Sequence, residues 1–437
     1  MRASLDLRTE LERLPLGALH LFTIATLALI LLFDGYNVFV PAYVIPYAAR
    51  AWQLTPSESG LLVSSGLVGF MAGSLANGPI ADRIGRKPTL IGALLLAAGM
   101  NFATAAWADG FLRFLALRLA TGVGLGMLLP LAVTLVNELV PRRLVNRVLG
   151  YVMTGWSLGG VAAALTAVAL VPARGWHALF LAGAAVAPLI AGAALWLPES
   201  PHLLSARGRQ REAGAVMARL APPRAQAYLG ADFTLAEPTG RAGSLLRLLA
   251  PHYRRSTLTV WLCTGLSLFA IFGLSSWIPD ILLRRGAGVS ASFTLSAVLQ
   301  FAGVLGGIGW GWAADRAGAE RALTVSWLTG ATALLSLALV NTPSTNLLGM
   351  ALAGFCVIGA QPLLNNRTAG LYETEIRSTG VGAQLGVGRL GGILGPYVGG
   401  WLQQLSSGSS ALLLCLTLTM LACALILRRI APARTQR

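Results

Sequence analysis

Two charged residues sit where charge is expensive. Asp34 falls near the middle of a long apolar run, in Leu32-Phe33-Asp34-Gly35-Tyr36-Asn37, and Arg389 lies inside another, at 379–404. At 1.5 Å rise per residue, Arg389 is about 15 Å along that run, close to a bilayer midplane. An ionised side chain at that depth costs about 2.5 to 3.5 kcal/mol on insertion scales, so each must face a polar cavity or find a counter-charge. The acid has the further option of carrying a proton, which makes Asp34 a natural carrier that loads on one side and unloads on the other. The alternative for Asp34 is a structural ion pair with an arginine of a neighbouring helix. A buried guanidinium is satisfied by Asp34, or by a solute carboxylate in a bidentate pair. Asn37, three residues beyond Asp34, shares its helical face and adds a polar group toward the same cavity.

Further polar residues interrupt other apolar runs. Arg118, within 111–138, serves either coupling or helix-to-helix structure; Gln300, Gln361, Asn365 and Asn366 line a cavity or act as interhelical glue. Phe33, Tyr36, Phe39, Trp156, Phe272 and Trp277 lie at similar depths, and sandwich a planar solute or merely fill the interior. There is no nucleophile-base set: His20, His177, His202 and His252 are scattered, which argues against an enzyme. Cys263, Cys356, Cys415 and Cys423 fall inside apolar runs, so neither a disulfide framework, a metal site nor a cofactor is expected.

The elements that position these residues follow from composition. Of 437 residues, 55% are hydrophobic and 11% charged, too little polar surface for a soluble globule. The apolar material forms about twelve stretches of roughly 20 to 28 residues, each long enough to cross a hydrocarbon core as a helix. The first, 18–47, is too long for a signal-peptide core and is expected to remain as a spanning helix. The net charge of +16 sits in short segments between spans, not along one soluble face, so nucleic acid is not the expected partner. Alternating the loops places about 26 basic residues on one side and about 5 on the other, so both termini are expected in the cytoplasm of a cell's inner membrane. The polar stretch 198–255 divides the chain into an N-terminal half, 1–197, and a C-terminal half, 256–437, and serves as a basic tether touching anionic headgroups or as a regulatory segment.

The halves repeat. Gly73 and Gly78-Pro-Ile-Ala-Asp82-Arg83-Ile-Gly85-Arg86-Lys87 recur as Gly306 and Gly311-Trp-Ala-Ala-Asp315-Arg316-Ala-Gly318. A second echo sets Glu138 before Arg142 and Glu373 before Arg377. Parallel repeats of six spans imply a pseudo-two-fold axis along the membrane normal, with a solute site between halves near the midplane. The loop containing Asp82, Arg83 and Arg86, echoed at Asp315 and Arg316, is expected to latch the halves in one state; otherwise it is a basic turn that fixes topology.

The Gly-x-x-x-Asp-Arg-x-Gly-Arg-Lys loop, its degenerate copy and Arg118-x-x-x-Gly122 resemble the major facilitator superfamily over nearly the whole chain. That resemblance implies an all-α membrane protein of twelve transmembrane helices in two pseudo-symmetric six-helix halves, working as a monomer. Asp34-Gly-Tyr36-Asn37, Pro198-Glu199-Ser200-Pro201 and Thr374-Glu-Ile-Arg377 leading to Gly388-Arg389 resemble the aromatic acid:proton symporter family within it. The family's first motif ends in a second aspartate, where this chain has Asn37. The resemblance implies a secondary transporter importing a benzoate-like or hydroxybenzoate-like anion with protons. Asp34, Arg118 and Glu138 would then couple protons, while Arg389, Asn37, Tyr36, Trp156, Gln361 and Phe272 would bind substrate. The alternatives are another small organic solute, such as a nicotinate-like or aliphatic carboxylate or a polyol or sugar. A drug exporter is disfavoured because the glycine-proline run Gly391–Gly400 lies in the eleventh span and not the fifth.

Overall fold

The computed structural model describes residues 4–234, 245–405 and 410–427, without the side chains of 245, 246, 374, 375 and 378. Residues 235–244 of the basic tether, the start of the last expected span at Ser409, the terminal basic residues beyond 427 and the Thr374 and Glu375 side chains of the 374–380 motif lie outside the described residues.

A short strand β1 (Ser4–Asp6) and helix α1 (Leu7–Arg13) precede the first six long helices: α2 (Ala18–Ala51), α3 (Pro56–Ile84), α4 (Arg86–Trp107), α5 (Phe111–Leu139), α6 (Arg142–Arg174) and α7 (His177–Ala194). Between the two sets lie α8 (Pro201–Ala206), α9 (Gln210–Leu220), α10 (Ala225–Leu229), β2 (Asp232–Thr234) and α11 (Leu245–Leu248). The second set is α12 (Pro251–Arg284), α13 (Val289–Ala317), α14 (Ala319–Leu339), α15 (Pro343–Ala353), α16 (Ala360–Ala369), α17 (Thr374–Leu405) and α18 (Ser410–Leu427). A π turn over Gly354–Ile358 joins α15 to α16, so the tenth crossing is interrupted where the sequence suggests one unbroken helix. Eleven crossings are long and apolar enough to span a membrane, and the 32-residue α17 makes twelve. Lipid offers no partner for backbone polar groups, so such runs satisfy their hydrogen bonds within helices and tolerate internal prolines such as Pro41, Pro46 and Pro396.

Local chemistry sets the ends. Thr55 and Glu58 close a capping box on α3, with Thr55 Oγ1 accepting from the Glu58 N–H at 3.2 Å and Glu58 Oε2 accepting from the Thr55 N–H at 2.8 Å. Gly85 ends α3 at φ 124° and Gly318 ends α13 at φ 86°, backbone that favours glycine. These two glycines are partners in the sequence repeat. So are Gly73 and Gly306: a Cβ on either would overlap a backbone carbonyl of the helix it crosses, that of Val123 in α5 or Phe355 in the π turn.

Across the halves, α2 packs on α12, α3 on α17 and α6 on α13. The closest approaches lie away from the face that carries α8 to α10. There Ser64 Oγ donates to the Ile393 carbonyl at 2.7 Å, and a Cβ on Gly60 would stand 2.5 Å from the Pro396 carbonyl oxygen. The rings of Tyr43 and Phe293 meet edge to face at 5.1 Å.

The middle segment is itself folded against the N-terminus. β1 pairs in parallel with β2, joining Ser4 to Asp232 and Asp6 to Thr234. Glu10 of α1, nearly buried, accepts from Tyr228 Oη at 2.8 Å and from Arg224 at 3.3 Å. Periodicity did not reveal this cap, because its elements are too short to leave a repeat.

Candidate functional site

Glycines bring α2 against α6 at the depth of Asp34. A Cβ on Gly35, Gly155 or Gly159 would overlap backbone of the opposing helix, so no larger residue fits there without separating the pair. The neighbouring Asp34 is fully buried, and neither carboxylate oxygen accepts a hydrogen bond. From the other half, Arg389 of α17 lays its guanidinium over the Phe70 ring of α3, 4.2 Å from the centroid. Asp34 and Arg389 lie within range of each other's charge. The two do not form a closed ion pair in this geometry, since no donor reaches Asp34.

Beside this pair, three rings from both halves close on each other. Phe39 of α2 meets Trp156 of α6 at 5.2 Å and Phe272 of α12 at 6.2 Å, while Trp156 and Phe272 stand 6.5 Å apart. Gln300 of α13 comes to the same place, 3.2 Å from where a Cβ on Gly160 would stand. Phe272 in turn lies 2.9 Å from a Cβ placed on Gly392, one turn beyond Arg389. The arrangement offers one cation, one acid and an aromatic wall at the seam between halves, which suits a planar anion.

Tyr36 and Asn37 point elsewhere. Tyr36 Oη donates to the Leu179 carbonyl of α7 at 2.8 Å. Asn37 Nδ2 donates to the Phe33 carbonyl at 2.8 Å, and its Oδ1 accepts from Asn101 Nδ2 of α4 at 2.6 Å. Arg118 donates to the Asn37 carbonyl at 3.0 Å and stands 5.8 Å from the Phe180 centroid, with Nε and Nη1 buried and unpartnered. These residues form a buried polar knot inside the first half. Asn101 was not singled out in the sequence, where one asparagine in an apolar run carries little signal.

Glu138 lies at the other end of α5 from Arg118. It pairs with Arg86 at 3.4 Å, and Arg86 also pairs with Asp82 at 2.8 Å. Glu199 Oε1 accepts from the Arg86 N–H at 3.0 Å at the start of α4, where a carboxylate offsets the helix dipole, and Arg207 donates to the Asp82 carbonyl. Arg83 is exposed, and among the described residues the loop's partners belong to the first half or its cap. In the repeat, Asp315 is exposed and Arg316 stacks on Trp312 at 3.5 Å. The ion pair here is Arg367 with Glu320 at 2.6 Å, the same helix ends as Glu138 and Arg86 with the charges exchanged. The sequence echo at Glu373 therefore did not locate it. Among the described residues, no group of three or more histidines, cysteines or carboxylates is placed to hold a metal.

Two sets of six membrane-crossing helices, meeting at a seam lined by an acid, a guanidinium and aromatic rings, define a multi-pass transporter of small solutes. Residues 25–396 match the model of the Major Facilitator Superfamily, and the chain belongs to that family. It is a transporter and not an enzyme. It is 34% identical to the gallate transporter of Pseudomonas putida over 99% of this chain and 96% of that protein. With the 4-hydroxybenzoate transporter PcaK of Pseudomonas putida it shares 32% identity over 91% of this chain and 89% of the other. The fold resembles that of a bacterial homolog of the human lysosomal transporter Spinster in its inward-facing and occupied conformation. The TM-score there is 0.76 at 15% identity, over 95% of this chain and 98% of that one.

Proposed function

We propose that this protein imports a small aromatic carboxylate with protons across a bacterial inner membrane, both termini facing the cytoplasm, by alternating access of two rigid six-helix halves. The observation that carries the reading is the placement of Arg389 and Asp34 at the seam, with Phe39, Trp156 and Phe272 beside them. Arg389 anchors the carboxylate, and the half-buried faces of Trp156 and Phe272 take the ring. An acid held without donors carries its charge at a cost of several kcal/mol, which a proton removes. Asp34 is therefore loaded from outside, the anion docks on Arg389, the halves rock, and both cargoes leave to the cytoplasm. Opposite charges at one depth link the steps: the substrate anion competes with Asp34 for the guanidinium, so binding one alters the hold on the other. The names of the relatives, transporters of gallate and 4-hydroxybenzoate, support the substrate class. Closure of the face around Ser64, Gly60 and Tyr43 is one end state of that rocking.

Uptake of labelled 4-hydroxybenzoate into proteoliposomes tests the proposal. Accumulation is expected with an inward proton gradient and is lost on adding a protonophore. Concentrative uptake that a protonophore leaves untouched would overturn the proton-coupled mechanism.

A further inference from the structure

Five neutral polar side chains of the second half form one chain of hydrogen bonds. Ser267 Oγ donates to Gln361 Oε1 at 2.7 Å, and Gln361 Nε2 donates to Asn365 Oδ1 at 3.0 Å. Gln384 Nε2 donates to the same asparagine oxygen at 3.2 Å and to Thr264 Oγ1 at 2.7 Å. Thr264, Ser267 and Gln384 are fully buried, whereas Gln361 and Asn365 keep part of their surface, so the network has a buried root and an open edge.

Interhelical glue would close its hydrogen bonds on itself, and this network does not. Gln384 Oε1 is buried and accepts nothing. These bonds also leave the two Nδ2 hydrogens of Asn365 and one Nε2 hydrogen of Gln361 uncommitted. A buried amide oxygen without a donor is a standing cost that packing alone does not demand. The edge thus presents both donors and acceptors and no charge. A second carboxylate finds no counter-ion there, while a hydroxyl, itself donor and acceptor, matches it.

The placement fits a single ring. Gln384 precedes Arg389 by five residues on α17, about 7.5 Å along the axis at 1.5 Å per residue, comparable to a benzene ring with substituents at both ends. Ser267 and Phe272 share α12, and Phe272 abuts α17 at Gly392. A ring lying against Phe272 with its carboxylate on Arg389 would extend toward the level of the network.

We propose that Thr264, Ser267, Gln361, Asn365 and Gln384 form a hydroxyl-reading subsite that selects phenolic aromatic acids over unsubstituted ones. The proposal rests on the reading of Arg389 as the carboxylate anchor. The phenol oxygen accepts from Asn365 Nδ2, and its proton goes to Gln361 Oε1, which accepts from Ser267 alone and keeps a lone pair at the open edge. A site built to hydrogen-bond a hydroxyl discriminates against the analogue that lacks it, because its own polar groups are then left unpaired.

The test is equilibrium binding of benzoate and 4-hydroxybenzoate to the purified full-length transporter, its Asn365→Ala and Asn365→Leu variants, and Arg389→Gln. Wild type is expected to favour 4-hydroxybenzoate by about ten-fold or more. Each network variant should bring that ratio to within about two-fold with benzoate affinity unchanged, and that unchanged affinity also reports an intact fold. Arg389→Gln should weaken both ligands together. An unaltered ratio in network variants that still bind benzoate normally overturns the hydroxyl subsite alone. Failure of folded wild type to bind either acid removes the carboxylate anchor, and the subsite with it.

Discussion

The Arg389 guanidinium, stacked on Phe70 and within range of the Asp34 charge, is the residue on which binding should turn most sharply. Arg389→Lys keeps the charge but loses the planar fork, and Arg389→Ala loses both. The alanine variant should bind the acid at least about 30-fold more weakly, some 2 to 5 kcal/mol for truncating one partner of a buried charged pair, while lysine falls between; titration calorimetry with 4-hydroxybenzoate checks the order. Asp34→Asn should abolish accumulation driven by a proton gradient and leave exchange of labelled for unlabelled substrate running. Loss of exchange as well would mean that the acid holds structure and does not carry the proton. Both charges were legible in the sequence, because an ionised side chain inside an apolar run is conspicuous whatever the fold. Asn37 was legible as a polar residue but not as to where it points. Spacing along α2 puts it on the face of Asp34, yet its short amide turns back to the Phe33 carbonyl and pairs with Asn101 on a helix the spacing knows nothing about. Gln384 was missed for the same reason, since its partners come from α12 and α16.

Helices in lipid gain nothing from hiding apolar surface, so their crossings depend on how closely backbones approach. The α2–α6 crossing is the clearest case. Gly35→Val should drive the helices apart, lower the thermal midpoint by several degrees for a cost of about 1 to 3 kcal/mol, and disable transport by displacing Asp34; differential scanning fluorimetry and uptake measure the two effects. The offset repeat made such crossings partly foreseeable: Gly73 and Gly306 recur in sequence and make equivalent contacts in space. The π turn at Gly354–Ile358 and the cap built by α8 to α10 left no such trace. The cap has its own pH dependence. Burial, with Arg8 and Arg86 nearby, holds the His202 imidazole below its ordinary value of 6.5 although Asp6 opposes them. The unfolded segment therefore binds more protons than the folded one as pH falls below 6.5, so the contribution of His202 is present above that value and is lost on acidification. Hydrogen exchange across residues 201–229, corrected for intrinsic rates, should accelerate at acid pH, and His202→Gln should flatten the response.

At the scale of the whole molecule, the two halves close one mouth through contacts that tolerate almost no added volume. A Cβ on Gly60 approaches the Pro396 carbonyl and one on Gly400 overlaps that of Pro56. Gly60→Val combined with Gly400→Val should therefore hold this mouth open. A cysteine at Ser64, now bonded to the Ile393 carbonyl, should then react faster with an impermeant maleimide from outside intact cells, and unchanged labelling would show that closure does not depend on these glycines. Twelve crossings and the duplicated plan could be read from composition and repeat alone, because hydrocarbon thickness fixes helix length. Which mouth is shut could not, since one sequence serves every state of the cycle. The hydrogen-bonded pairing of Ser4–Asp6 with Asp232–Thr234 has a topological consequence. It clasps the start of the first six crossings to the stretch that follows them, making a loop sealed without a covalent bond. A cut placed between 235 and 244 leaves that clasp whole within the first piece, so the two pieces, expressed together as separate polypeptides, should pair through the α2–α12, α3–α17 and α6–α13 contacts and work as a split transporter.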